Sequence, residues 1–171
     1  MDEQGTRESG IADARETRGR MKTAALRRLA RREYSRAELT RKLSADFVQD
    51  AVPVAQVLDE LAAAGAQSDA RVAESQVASG VRRGHGPLRI CRELAERGID
   101  TDLVQHALAA AAVDWPALAA QVCARKFGDN PADDWSERAR RARFLQYRGF
   151  GADAIEAALR RGNGDGGGQA R

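Results

Sequence analysis

Residues 97–108 read RGIDTDLVQHAL and residues 148–159 read RGFGADAIEAAL. The two align without a gap at an offset of 51 positions, with Arg97 over Arg148, Gly98 over Gly149, Ile99 over Phe150, Asp102 over Asp153, Val104 over Ile155 and Leu108 over Leu159. Upstream, the same offset places Leu94 over Leu145 and Cys91 over Ala142. A glycine just past an apolar-periodic stretch ends a helix in a left-handed turn, and the apolar residue after it folds back onto the helix. Self-similarity of this kind marks a repeated helical unit, whose apolar face must be covered by a neighbouring unit.

Every apolar run outward from this repeat has helical spacing and none alternates as a strand does. The first helix is expected from about Met21 to Arg32 with Leu26, Leu29 and Ala30 inward. Ser35 starts the second, because Glu38 three residues on completes a capping box; Leu39 and Leu43 share its inner face. Pro53 fits the first turn of a third helix bearing Val54, Val57, Leu58 and Leu61, which Gly65 ends in a left-handed cap. A fourth begins at Ser68 or Asp69 and carries Val72, Ala73, Val77 and Val81. Pro87 lacks an amide proton at no cost in a first turn, so it opens a fifth with Ile90, Cys91 and Leu94 on one face. Gly98 stops it, and a sixth from Thr101 presents Val104, Ala107, Leu108 and Ala111. Asp114 caps a seventh from Trp115 to Phe127, closed by Gly128. After the break GDNPADD, an arginine-rich eighth runs from about Asp134 to Arg148 with Ala142 and Leu145 inward, and a ninth carries Ile155 and Leu159.

The fold class is therefore all-α, an elongated or curved array of three tandem three-helix repeats at 21–64, 69–112 and 115–161. The structural anchors of the repeat are Leu39, Leu43, Ile90, Leu94, Gly98, Val104, Leu108, Leu145, Gly149, Ile155 and Leu159. Residues 1–20, polar and without apolar period, are expected to be a disordered extension, and the glycine-rich stretch 162–171 a disordered tail. No window is continuously apolar over the length of a membrane span, and the first twenty residues lack the apolar core of a signal peptide; a cytoplasmic monomer with no membrane association is expected. Cys91 and Cys123 are read as small core residues rather than a disulfide.

Catalytic arrangements are absent from the sequence. His85 lies in a glycine turn and His106 on a helix, with neither metal-ligand spacing nor a cysteine pair between them. There is no phosphate-binding glycine loop followed by Lys and Ser or Thr, and Asp133 and Asp134 stand where a helix cap belongs. No enzyme activity and no cofactor are expected. The net charge of +3, from 28 basic and 25 acidic side chains, does not by itself call for nucleic acid. Its distribution is uneven, however: ten Lys or Arg lie between Arg18 and Lys42 against only Glu33 and Glu38. Arg82, Arg83, Arg89 and Arg92 cluster about one turn, and Arg140, Arg141, Arg143 and Arg148 crowd the eighth helix; a guanidinium fork suits a phosphate or a carboxylate-rich groove. These eight are the candidate partner-binding residues. No helix combines the Asn, Gln, Arg and Ser of a base-reading end, so sequence-specific DNA recognition is not expected, whereas phosphate contact with single-stranded or double-stranded DNA is.

The segments SDARVAESQVASGVRRGHGPLRICRELAERGID, ARKFG and ARFLQYRGFGADAIEAAL resemble the bacterial RecX family, regulatory proteins that restrain the RecA recombinase. The resemblance covers about residues 21–161 and is most specific where Asp69, Arg71, Ala73 and Glu74 are followed by Gly86, Pro87, Leu88, Arg89 and Ile90, then Leu94, Gly98 and Ile99. It implies a curved chain of three-helix repeats that inserts into the groove of a RecA-type filament on single-stranded DNA. There it would inhibit filament growth, ATPase and strand exchange, with roles in homologous recombination, DNA repair and the SOS response. A general nucleic-acid-binding helical module is the alternative. Family members usually carry an aromatic residue where Val72 stands and another near Gln76, so looser packing is expected there. The irregular stretch from Ser44 to Pro53 implies a longer second-to-third helix connection.

Overall fold

The computed structural model describes residues 3–48, 52–130 and 134–161. Among them lie nine helices and no strand: α1 (Glu3–Leu29), α2 (Arg36–Asp46), α3 (Val54–Ala63), α4 (Asp69–Arg82), α5 (Pro87–Glu96), α6 (Thr101–Ala110), α7 (Trp115–Phe127), α8 (Trp135–Tyr147) and α9 (Ala152–Arg161). The all-α tandem architecture is thus the observed one. By their contacts the residues form two compact units, Met1–Val72 with Arg97–Ile99, and Ala73–Glu96 with Asp100–Arg171.

In the first unit Met21 and Ala25 of α1, Leu39 and Leu43 of α2, and Val57, Leu58 and Leu61 of α3 make one core with Val52. The inner face of α1 differs from the one expected. Met21, Ala25 and half-buried Leu29 form a ladder at four-residue spacing, while Leu26 is 46% exposed and Ala30 lies outside. α1 also begins at Glu3, well before Met21, across residues expected to be disordered. That stretch has no apolar face to betray a helix and holds three glycines, yet its Glu and Arg residues propagate one once it is nucleated. Burial of Met21 and Ala25 supplies the nucleus, and Arg18 and Lys22 reach Glu60 on α3 at 3.3 and 2.6 Å. The tail 162–171 lies outside the described residues. The connection from α2 to α3 spans 47–53, longer than the turn 97–100 between α5 and α6, as the irregular sequence there implies.

The expected capping box opens α2. The Glu38 amide donates to Ser35 Oγ at 3.0 Å and the Ser35 amide to Glu38 Oε2 at 2.9 Å. The same two side chains hold the turn at residues 97–99. Ser35 Oγ donates to the Arg97 carbonyl at 2.6 Å, and the Arg97 guanidinium donates to Glu38 Oε2 at 2.9 Å and to the Glu33 carbonyl at 2.8 Å. Arg32 takes the other Glu38 oxygen at 3.0 Å. Beside this cluster, Asp69 accepts from the Arg36 amide and from Gln67, closing a second free donor of α2.

The second unit repeats the contact with backbone groups. Position 86 is Ser35 advanced by the 51-residue offset, and its amide donates to the Arg148 carbonyl at 2.8 Å while the Leu88 amide donates to the Gly149 carbonyl at 3.1 Å. Gly149 sits at φ 86°, and a Cβ there would strike Arg89; a Cβ on Gly86 would strike the Gly149 carbonyl. Gly98 matches it in the first unit, at φ 75° and against Ala37. Ala119, Val122 and Cys123 of α7, Leu145 of α8, and Phe150, Ala154, Ile155, Ala158 and Leu159 form the core of the second unit. Phe127 meets Phe144 edge-to-face with ring centroids 5.3 Å apart. Asp100, Asp114 and Asp134 cap α6, α7 and α8. Of the anchors, Leu108 is half-buried rather than buried, as are Cys91 and Val81, and Ala111 is exposed at the end of α6. Where looser packing was expected, Val72 and Val77 are buried and Gln76 donates to Glu93 at 2.7 Å.

Burial would raise the Glu38 carboxyl, but the hydrogen bonds from Arg32, Arg97 and the Ser35 amide bring it down to about 2. The unfolded carboxyl titrates near ~4.3, so its stabilisation is complete above that pH and fades as pH falls toward the folded value. Glu38→Gln should cost about 2 kcal/mol at neutral pH, and the difference from the parent should shrink near pH 2, read by urea unfolding at both. An equal difference at both pH values would remove the charge from the explanation. Gly149→Ala should destabilise more than Gly65→Ala. Both sit at positive φ, a penalty of about 1–2 kcal/mol, but a Cβ on Gly65 meets open space. Equal midpoints in denaturant would contradict the close approach at Gly149.

Candidate partner-binding surface

Arg82 closes α4 and Arg83 follows it, both exposed, before Gly84 turns the chain at φ 71°. Arg92 is exposed on α5, whereas Arg89 is half-buried and donates to Glu93 at 2.8 Å. Glu93 is the hub of this cluster, with Gln76 at 2.7 Å, Arg83 at 3.6 Å and His85 Nδ1 at 3.6 Å. Burial alone would raise its carboxyl, and the bonds from Arg89 and Gln76 with the neighbouring His85 lower it. His85 is buried in the turn, and its Nδ1 has no hydrogen-bond partner among the described residues. Burial first, then Arg89, Arg83 and Arg148, push the imidazole below its ordinary value against the opposing pull of Glu93.

On α8 the expected residues separate. Arg140 and Arg143 are exposed, with Arg140 3.5 Å from Glu137. Arg148, half-buried, donates to the Arg83 carbonyl at 3.0 Å and lies 5.2 Å from the Phe144 ring centroid. Arg141 is the correction: only 7% exposed, it donates to Glu137 at 3.0 Å and to the Asn130 carbonyl at 2.8 Å. It precedes Leu145 by four residues and so shares the inward stripe. Its stem packs there while its head is satisfied at the loop, a placement the rule that arginine faces water does not anticipate.

Charge counting along the sequence missed other surface features. Trp135 and Tyr147 stand 83% and 78% exposed on α8, and the Arg89 guanidinium lies 6.0 Å from the Tyr147 ring centroid. Arg125 and Lys126, in the last turn of α7, join Arg83 and Arg148 around a cavity of about 260 Å³ floored by Val122 and Phe144. The Arg-Lys pair just before Gly128 was the available signal, but as a helix-end pair it reads as dipole complementation. No group of His, Cys, Asp and Glu among the described residues is arranged to hold a metal, and no single helix among them is long and apolar enough to cross a membrane.

Comparison with known proteins places the chain among relatives of one kind. Family models for the second and third three-helix domains of RecX match residues 68–108 and 114–159. The Regulatory protein RecX of Chromohalobacter salexigens is 44% identical over 136 residues, covering 79% of this chain and 88% of the relative. That of Halorhodospira halophila is 46% identical over 138 residues, covering 81% and 85%. The crystal structure of RecX from Lactobacillus salivarius superposes with a TM-score of 0.75 at 20% identity over 86% of this chain and 97% of that one, a likeness of fold.

Two neighbouring arginines should behave oppositely in denaturant titration. Arg141→Ala should cost about 2 kcal/mol, by stranding its partners and removing its packed stem. Arg143→Ala should stay within about 0.5 kcal/mol of the parent. Equal effects would contradict the buried placement of Arg141.

Proposed function

The chain belongs to the RecX family of regulatory proteins, and on that footing we propose that it binds in the groove of a RecA-type recombinase filament on single-stranded DNA. Bound there, it inhibits filament growth, ATPase and strand exchange without catalysing a reaction of its own. The repeats at 21–64, 69–112 and 115–161 are the units of this reading, and the protein works as a cytoplasmic monomer. The observation that carries the proposal is the set of exposed guanidinium groups at Arg82, Arg83, Arg92, Arg140 and Arg143, on helices whose cores do not use them. Arg83 and Arg140 hold Glu93 and Glu137 only at 3.6 and 3.5 Å, so the set can pair with carboxylates of a protein groove or with phosphates. Arg89 and Arg148 add charge to the same unit while partly engaged within it.

One observation favours a second reading, a module that binds nucleic acid by itself. Trp135, Arg140, Arg143 and Tyr147 fall within one exposed arc of α8, and aromatic rings beside cations are a stacking platform for unpaired bases.

The two readings part in one experiment. Arg82→Ala/Arg83→Ala/Arg92→Ala and Arg140→Ala/Arg143→Ala variants, each checked by melting, are titrated into preformed recombinase filaments while ATP hydrolysis is followed, with binding to bare single-stranded DNA measured in parallel. The expected result is an inhibition midpoint raised roughly tenfold or more, about 1.4 kcal/mol for each factor of ten. Wherever phosphates take part, inhibition by the parent should weaken as salt rises and that of the variants should depend on salt less steeply, so the gap between them narrows. Folded variants that inhibit like the parent would take these residues out of the interface, and inhibition appearing only at concentrations that coat the DNA would select the second reading.

A further inference from the structure

Three helices of the second unit end around one cavity. Arg83 directly follows α4, Arg125 and Lys126 occupy the last turn of α7, and Phe144 and Arg148 lie at the end of α8; with Val122 they line a space of about 260 Å³. Cations at helix ends commonly serve their own carbonyls. After α4 and α8 those carbonyls are largely taken by backbone donors, His85 to Gly80 and Gly84 to Val81, then Phe150 to Leu145 and Gly149 to Gln146, and after α7 Gly128 donates to Ala124. Among the described residues, Arg125, Lys126 and Arg148 have no carboxylate partner, and Arg83 has only Glu93 at 3.6 Å.

The first unit supplies the contrast. A cavity of about 520 Å³ there is lined by Arg28, Arg32, Arg41 and Lys42, but Glu38 and Asp46 line it too, and each is already paired with one of those arginines. The cavity of the second unit has four cations and no carboxylate in its wall. Its floor strengthens the field, because Val122 is buried and Phe144 is packed against the core. One of its donors is fixed in advance, since the Arg148 guanidinium is held by the Arg83 carbonyl and the Phe144 ring. The space falls below the roughly 300–1,000 Å³ of pockets that enclose drug-sized ligands. It suits a compact anion able to accept from several forks at once.

We propose that the cavity walled by Arg83, Arg125, Lys126 and Arg148 is a phosphate-binding site, taking either a phosphodiester of a nucleic-acid backbone or a free phosphate anion. The site goes beyond filament regulation, for it belongs to residues of one compact unit and is tested with no recombinase present. Inorganic pyrophosphate is the probe, titrated against the full chain at constant ionic strength set with chloride, with binding read by calorimetry and by melting temperature. Saturable binding and a rise in melting temperature over the chloride control are expected. The affinity should fall at least tenfold in Arg125→Gln/Lys126→Gln and in Arg83→Gln, and should be kept in Arg92→Gln, whose arginine lies outside the cavity wall. Melting of the unliganded variants establishes that they fold, and the Arg83 variant stands in should the double variant not. Displacement of pyrophosphate by an oligothymidylate without terminal phosphates assigns the phosphodiester; retention of pyrophosphate assigns the free anion. Pyrophosphate that stabilises no more than chloride, or that binds folded cavity variants as it binds the parent, overturns the proposal.

Discussion

The architecture depends on how an arginine-glycine turn is held against the start of an earlier helix. In one unit the Arg97 carbonyl receives the Ser35 hydroxyl and Gly98 lies on Ala37; in the other the Arg148 carbonyl receives the Gly86 amide and Gly149 lies on Arg89. Both members of the hydrogen-bonded pair are displaced by the same 51 positions, and the residues lying under the two glycines by 52. Glycine is required in the turn because φ is positive and because the helix below leaves no room for a Cβ. The helix start is a fitting receptor because its first amides have no intrahelical partner. In the second unit those amides bind the turn directly. In the first, the Ser35 side chain serves as go-between, and Glu38 adds a charged clamp on Arg97.

Half of this contact was legible in the sequence. The turns RGID and RGFG share residues and declare their equivalence. The receptors SRAE and GPLR coincide at no aligned position and perform the same task through a hydroxyl in one case and a bare amide in the other, so identity could not pair them. Helix starts with a side-chain cap were legible for the same reason that turns were, since Ser35, Asp114 and Asp134 do local chemistry with residues two or three positions away. α1 was not, because its extension past Met21 rests on contacts from Arg18 to Gln56 and Glu60, 38 and 42 residues distant.

The charged surface divides in the same way. Arginines on outward phases, such as Arg92 and Arg143, are where the helical period puts them. Arg141 shows that phase outranks residue type: four residues before Leu145, it is buried because its helix turns it inward. The grouping of Arg83, Arg125, Lys126 and Arg148 has no local signature, since it forms only where three helices end together. Clusters along the chain reveal density of charge, whereas the fold decides which charges converge.

Ser35 carries a consequence of its own. Its one hydroxyl accepts from the Glu38 amide and donates to the Arg97 carbonyl, so the position demands both halves of the hydrogen-bonding repertoire in a single buried atom. By the general preferences of helix starts, aspartate is as good a residue here as serine. It would nonetheless bring an acceptor against the Arg97 carbonyl and a second anion beside Glu38, whose own cap bond it would repel. A residue interchangeable with aspartate in an isolated helix loses that freedom once two levels of structure read the same oxygen. Engineering that scores helices one at a time would choose wrongly at this site.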